Sequence, residues 1–142
     1  MRVLAPCLLT SVGMLLGCAE GPQRAEVSGT VKLNGRLVPD GAISFIPVEG
    51  TTGPEVGAII RNGQYQIPRD KGVIVGKNRV ELRAIQKLGT KIQDPTKPEG
   101  VLTDELGEAF PPEYNRESTL IRDIKAEDNT LNFEVETKDG GK

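Results

Sequence analysis

From Glu26 to Glu136 apolar and polar positions alternate with a period of two over short stretches, the pattern of strands with one face buried and one in water. Val27, Gly29, Val31 and Leu33 fall on one side of the first stretch, with Ser28, Thr30 and Lys32 on the other. Asn34-Gly35 tolerates positive φ in a tight turn, and Pro39-Asp40-Gly41 is a second turn signal. Ala42 to Pro47 is then a strand with Ile43 and Phe45 on one face. Val56 to Arg61 and Gln64 to Ile67 flank Asn62-Gly63, the strongest local hairpin signal in the chain, and Pro68 ends the pairing because it has no N–H to donate. Asn78 to Ile85 alternates again through Val80, Leu82 and Ala84. Thr119 to Ala126 and Thr130 to Glu136 read as a final hairpin, with Leu131, Phe133 and Val135 facing inward. About seven short strands, with turns between them and no convincing amphipathic helix, predict an all-β fold: a single antiparallel Ig-like or prealbumin-like β-sandwich over 26–136.

One segment breaks the pattern. Gln86 to Ser118 shows no clear strand and reads as a long loop, a kind that at this length is usually functional, disordered or misread. Thr103 to Ala109 suggests a short helix with Thr103 capping and Leu106 packing inward. Phe110-Pro111-Pro112-Glu113-Tyr114-Asn115 follows, and Phe110 and Tyr114 are expected to pin the loop onto the sandwich.

The N-terminus carries a different pattern. Residues 3–17 hold no charge, follow the single basic residue Arg2, and are too short to span a bilayer, which takes about 20 apolar residues. They fit the apolar region of an export signal. Leu15, Leu16 and Gly17 ahead of Cys18 resemble a bacterial lipobox, with an aliphatic residue three before the cysteine and a small one directly before it. The resemblance implies cleavage before Cys18, lipid on its sulfur and amine, and a membrane anchor. One acyl chain holds only marginally, whereas two or three make attachment stable. Ala19 after the cysteine, rather than Asp, implies passage to an outer membrane by the sorting rule of proteobacterial lipoproteins. The competing readings are an ordinary signal cut near Ala19 and an uncut anchor. Residues 18–25 would be the lipidated terminus and a short tether, and 137–142 a disordered tail.

Composition narrows the chemistry. Without residues 1–17 the 142-residue chain keeps 125, enough for one domain with a modest core. Arg2 is the one charge removed, so 17 basic against 20 acidic residues give −3, with no basic stripe for nucleic acid. Cys7 leaves with the signal and Cys18 is consumed by lipid, so no disulfide forms. The chain has no histidine, which excludes a Ser-His-Asp triad and histidine-ligated zinc.

The stretch V-x-G-x-V-x-L-N-G from Val27, with P-D-G-A-x-x-F ending at Phe45, resembles the first half of carboxypeptidase regulatory-like, or transthyretin-like, domains. Asn62-Gly63-x-Tyr65-x-Ile67 and Gly76-Lys77-Asn78-Arg79-Val80 resemble the second half. With the lipobox, the P-P-E-Y-N block and the terminal N-T-L-x-F, the whole chain is similar to short lipoproteins of planctomycete-type bacteria. Asn78 stands where that family usually has an aromatic, which shifts packing onto Val80 and Leu82. The module resembles the non-catalytic sandwich appended to carboxypeptidases and carries none of their metal ligands.

The remaining constellations are weak. Gly72 to Asn78 has three residues between its glycines and no hydroxyl after Lys77, so it is no phosphate loop but a turn leading into a strand. Asp94, Glu99, Asp104, Glu105, Glu108 and Glu113 lack the spacing of a calcium loop and read as solvated acids. Five aromatics and no tryptophan give little to stack a sugar in carboxylate glycoside chemistry. Ser28, Ser44 and Ser118 lie in no nucleophile elbow. Lys87, Lys91 and Lys97 could touch an anionic polymer, but acids lie between them. The expectation is therefore a non-enzyme without cofactor or metal, anchored through lipid on Cys18 in the cell envelope as a structural or interaction module. An envelope protein is its expected partner. Binding of polysaccharide or a divalent cation by the 86–118 loop, through Asp104, Glu105, Glu108, Phe110 and Tyr114, or service as an accessory subunit of an envelope enzyme, are the alternatives.

Overall fold

The computed structural model describes residues 21–138. Cys18, the lipobox residues Leu15, Leu16 and Gly17, the signal segment and 139–142 lie outside the described residues. In chain order the strands are β1 (Arg24–Ala25), β2 (Val27–Leu33), β3 (Arg36–Leu37), β4 (Asp40–Pro47), β5 (Val56–Arg61), β6 (Gln64–Ile67), β7 (Val73–Ile74), β8 (Gly76–Arg83), β9 (Ile85–Gln93), β10 (Leu102–Glu108), β11 (Ile121–Ile124), β12 (Asn129–Thr130) and β13 (Phe133–Val135). The fold is all-β, with 3-10 turns at Arg69–Lys71 and Pro112–Tyr114 as the only helical elements among the described residues.

The main sheet runs β11-β8-β4-β5-β6-β2-β12, with β3 and β13 also on β2. Its two halves face each other because β5 and β6 pair only through Arg61 and Gln64 beside their turn. Asn62 at φ 49° and Gly63 at φ 75° make the tight turn that Asn-Gly predicts. Beyond it the strands splay, and the chain passes from one layer to the other. The alternation then does its work: Ile43, Phe45, Ile60, Val80 and Leu82 of one layer meet Val27, Val31, Tyr65, Ile67, Phe133 and Val135 of the other in one buried cluster. Each such side chain contributes about 1.5–3 kcal/mol when fully buried. The Tyr65 ring lies 6.3 Å from Phe45 and 6.4 Å from Phe133, bridging the layers.

Asn78 is fully buried. Its Nδ2 donates to the carbonyls of Ile74 (2.8 Å) and Gly76 (3.0 Å), holding the bend between β7 and β8. Val80 and Leu82 carry the packing, both with no exposure.

Four expectations need correction. The residues of the anticipated last hairpin do not pair with each other: β11 runs antiparallel to β8, while β12 and β13 run parallel to β2. Alternation fixes which face of a strand is buried but not which strand lies beside it. The tether is shorter than 18–25, because β1 pairs with β7, Ala25 is fully buried and the Arg24 guanidinium donates to the Gly72 carbonyl at 2.9 Å. The C-terminal tail starts later than 137: the Thr137 amide donates to Asn34 Oδ1 at 2.8 Å, and Asn34 Nδ2 returns a bond to Thr137 Oγ1 at 3.0 Å. The segment 86–118 is not free of strand: it contains nearly all of β9 and the whole of β10, an antiparallel pair outside the main sheet.

Candidate functional site

β9 and β10 form an arm. Every residue of β9 is exposed, and β10 is its one strand partner among the described residues. The register pairs Gln93 with Leu102, Asp104 with Lys91, Leu106 with Lys87 and Ile85 with Glu108. Between Asp104 and Leu106 the register shifts, so three β9 residues oppose Glu105 alone, and Gly89 at φ 85° allows that bulge. The arm's tip is closed locally. Asp94 Oδ1 accepts from the Thr96 amide (2.9 Å) and hydroxyl (2.7 Å), which holds its carboxyl below the usual range. The Gly100 amide donates to Gln93 Oε1 at 2.8 Å.

Paired residues in an antiparallel ladder share a face. One face of the arm therefore carries Ile85, Leu102 and Leu106 with Lys87, Lys91 and Asp104. The other carries Leu88, Ile92 and Glu105. Leu106 is 60% exposed and Leu102 59%, with Ile85, Leu88 and Ile92 also in the open. A two-stranded ribbon gains little stability by itself, and burial of these side chains against another surface would add to it.

The anticipated site residues are dispersed along this arm and its root. Asp104 sits between Lys87 Nζ (2.6 Å) and Lys91 Nζ (2.5 Å), and these donors hold its carboxyl at about 2. The same contact raises Lys87 above the usual lysine value. Glu105 lies on the opposite face. Glu108 Oε1 accepts three backbone N–H groups, from Ala84 (2.9 Å), Ala109 (3.0 Å) and Phe110 (3.2 Å), and so ties the arm to the body. Phe110 is buried and Tyr114 packs against the core, so both pin the segment as anticipated. The anticipated helix over Thr103 to Ala109 is strand β10 through Glu108, and Leu106 points to solvent instead of packing inward. Among the described residues no group of three His, Cys, Asp or Glu side chains is placed to hold a metal.

Two clefts flank the root of the arm. One of about 600 Å³ is lined by Arg83, Gln86, Glu108, Phe110, Pro111, Pro112, Asn115 and Arg116. The other, of about 640 Å³, runs past Leu33, Arg36, Leu37, Val38, Asp40 and Ile85 and mixes apolar and charged walls. Sequence reading missed the arm's exposed leucines and isoleucines and the pair Asn115-Arg116. The missed signal was two stretches of similar length, Ile85–Gln93 and Leu102–Glu108, on either side of Pro95-Thr96-Lys97-Pro98-Glu99-Gly100, a turn-rich centre.

No family model and no curated protein matches the chain. Among solved structures, it is similar to the crystal structure of a DUF3823 family protein from Parabacteroides merdae ATCC 43184, with 11% identity and a TM-score of 0.42. The match covers 81% of this chain, which spans 47% of the length of that one.

Proposed function

We infer that the chain is a lipid-anchored cell-envelope protein of the planctomycete-type, transthyretin-like kind, whose sandwich is a non-catalytic module that presents the β9–β10 arm to an envelope protein. The observation that carries this reading is the arm itself, a ribbon with apolar side chains on both faces and, among the described residues, one strand partner for each strand. Two of the carboxylates along it are already engaged, Asp104 by two lysines and Glu108 by three amides, and Glu105 stands apart from both on the opposite face. That counts against cation binding and against a paired-carboxylate mechanism. Lys87, Lys91 and Lys97 each face an aspartate, which weakens the anionic-polysaccharide reading.

A photo-crosslinking residue placed at Leu102 or Leu106, in cells of the source organism, tests the role of the arm. Ile59, equally exposed on β5, is the control position. A discrete adduct from the arm positions alone supports the module; no adduct, or the same adducts from Ile59, refutes it. The anchor is tested separately by intact mass and by membrane fractionation of Cys18→Ser, which should be released from the membrane.

A further inference from the structure

Six of the eight large apolar side chains that stand exposed among the described residues belong to the arm: Ile85, Leu88, Ile92, Val101, Leu102 and Leu106. Both edges of the arm are open, since β9 and β10 pair with each other and with no other strand among the described residues. An open edge is a row of unpaired N–H and C=O groups that can receive another strand. The two edges differ in charge. β9 carries Lys87 and Lys91 and no acid, whereas β10 carries Asp104, Glu105 and Glu108 and no base. Like charges side by side in a ladder destabilise it and opposite charges stabilise it. Two copies joined β9 to β9, or β10 to β10, therefore set like charges together, while a β9 edge against a β10 edge sets lysines beside acids. Asp104, held between Lys87 (2.6 Å) and Lys91 (2.5 Å), shows that these side chains reach one another across one strand spacing.

We propose that the arm's partner is a second copy of this chain, with the β9 edge of one copy paired antiparallel to the β10 edge of the next. The proposal rests on the reading of the arm as an interaction element and of Cys18 as the anchor, and it identifies the partner. Direction supports the choice. Within one arm β9 and β10 run antiparallel, so an antiparallel β9–β10 contact between copies leaves both arms pointing the same way. The root of the arm lies at the far end of β8 from the N-terminal strand. β1 pairs with β7, which leads into the start of β8, while Ala84 just past its end accepts from the Ala109 amide at 2.7 Å. The eight residues of β8 separate these two ends by about 25 Å. Copies anchored in one membrane through Cys18 thus hold their arms at one height with the roots on the same side, as this contact requires. The contact is head-to-tail, so a row of copies ends in one free β9 edge and one free β10 edge and does not close at two. It also widens a two-stranded ribbon into a larger sheet, which is the more stable form.

The test uses single-cysteine variants matured in the source organism and purified as full chains in mild detergent. Gln86→Cys and Thr90→Cys mark β9, Leu102→Cys and Thr103→Cys mark β10, and Ile59→Cys on β5 is the control. A disulfide needs its two Cα atoms within about 7 Å, which adjacent strands satisfy and next-but-one strands do not. On oxidation, at least one mixture of a β9 variant with a β10 variant should give at least five times the linked product of any sample with cysteines on one strand only. Ile59→Cys should link to none of them. Sedimentation of the unaltered chain should show species beyond two copies as concentration rises. No link in any β9–β10 mixture, equal links in the one-strand samples, or association that stops at two copies overturns the proposal. The photo-adducts from Leu102 and Leu106 separate this outcome from the arm's role. Adducts with the mass of two copies agree with self-pairing, whereas adducts with a different protein alone overturn it and leave the arm an interaction element.

Discussion

Replacing Glu108 by alanine should loosen the arm at its root and destabilise the whole domain. Three N–H groups converge on Glu108 Oε1, but their losses differ. The Ala109 amide also donates to the Ala84 carbonyl at 2.7 Å and keeps that partner. The amides of Ala84 and Phe110 lose the only acceptor they have among the described residues, and both residues are buried, at 6% and 2% exposure. An amide left without a partner costs about 1–3 kcal/mol, with the low end applying where water can reach it. Both bonds are partly open to solvent, so about 2–3 kcal/mol is expected in total. For a domain of this size that corresponds to a fall in melting temperature of roughly 10 °C. Glu108→Gln retains a neutral acceptor and should lose about 1 kcal/mol. Chemical denaturation gives the totals, and amide exchange shows where they act: Ala84 and Phe110 should exchange faster in Glu108→Ala, ahead of amides in β2 and β4. A Glu108→Ala variant within 0.5 kcal/mol of the unaltered chain, or one with unchanged exchange at those two amides, would refute the reasoning.

Three other outcomes are expected. Asp104 is held at about 2, below its usual 3.8, so its stabilisation of the arm is complete above pH 3.8 and is lost as pH falls through 2; amide exchange of β9 should rise over that interval, and an unchanged profile in Asp104→Asn would contradict the assignment. A Cβ at Gly29 would lie 1.9 Å from the Leu131 carbonyl oxygen, so Gly29→Ala should push the C-terminal strands off β2 and cost more than about 3 kcal/mol, checked by the urea midpoint. Tyr65 donates from its hydroxyl to the Leu131 carbonyl at 2.8 Å, and Tyr65→Phe should cost about 1 kcal/mol in the same titration; no change would mean that the bond contributes nothing net.

The strands of the sandwich were legible because each has one wet face and one dry face. Val27, Val31, Ile43, Phe45, Tyr65, Ile67, Val80, Leu82, Phe133 and Val135 all point inward as their spacing predicts. The two Asn-Gly turns were legible because both pairs adopt positive φ. Partner choice was not. Nothing local in Thr130 to Glu136 distinguishes antiparallel pairing with its predecessor from parallel pairing with β2, a decision made by packing across the whole chain. The arm escaped notice for a different reason. Neither of its faces rests on the core, so Leu88 and Ile92 fall on one side and Leu102 and Leu106 on the other, and the bulge at Gly89 breaks the period within β9. Of the anticipated site, Phe110 and Tyr114 were placed correctly as anchors, whereas Asp104 and Glu108 proved to hold the arm together. The unpaired acceptor Oδ1 of Asn115 depends on a fold in three dimensions and has no signature in sequence.

The parallel seam between β2 and the C-terminal strands also sets the order in which the molecule can assemble. Val31 lies beside Phe133, and the side-chain bonds between Asn34 and Thr137 join positions 103 residues apart. Until that late segment has been synthesised, β2 has one edge open to any other strand, a hazard for self-association. Folding is therefore expected to be slow for so small a domain, gated by the closure of one long loop rather than by its local hairpins. A chain truncated before Asn129 should aggregate rather than form a smaller sandwich, and a chaperone or translocation channel that keeps the first strand covered until the last one arrives would raise the yield of folded protein.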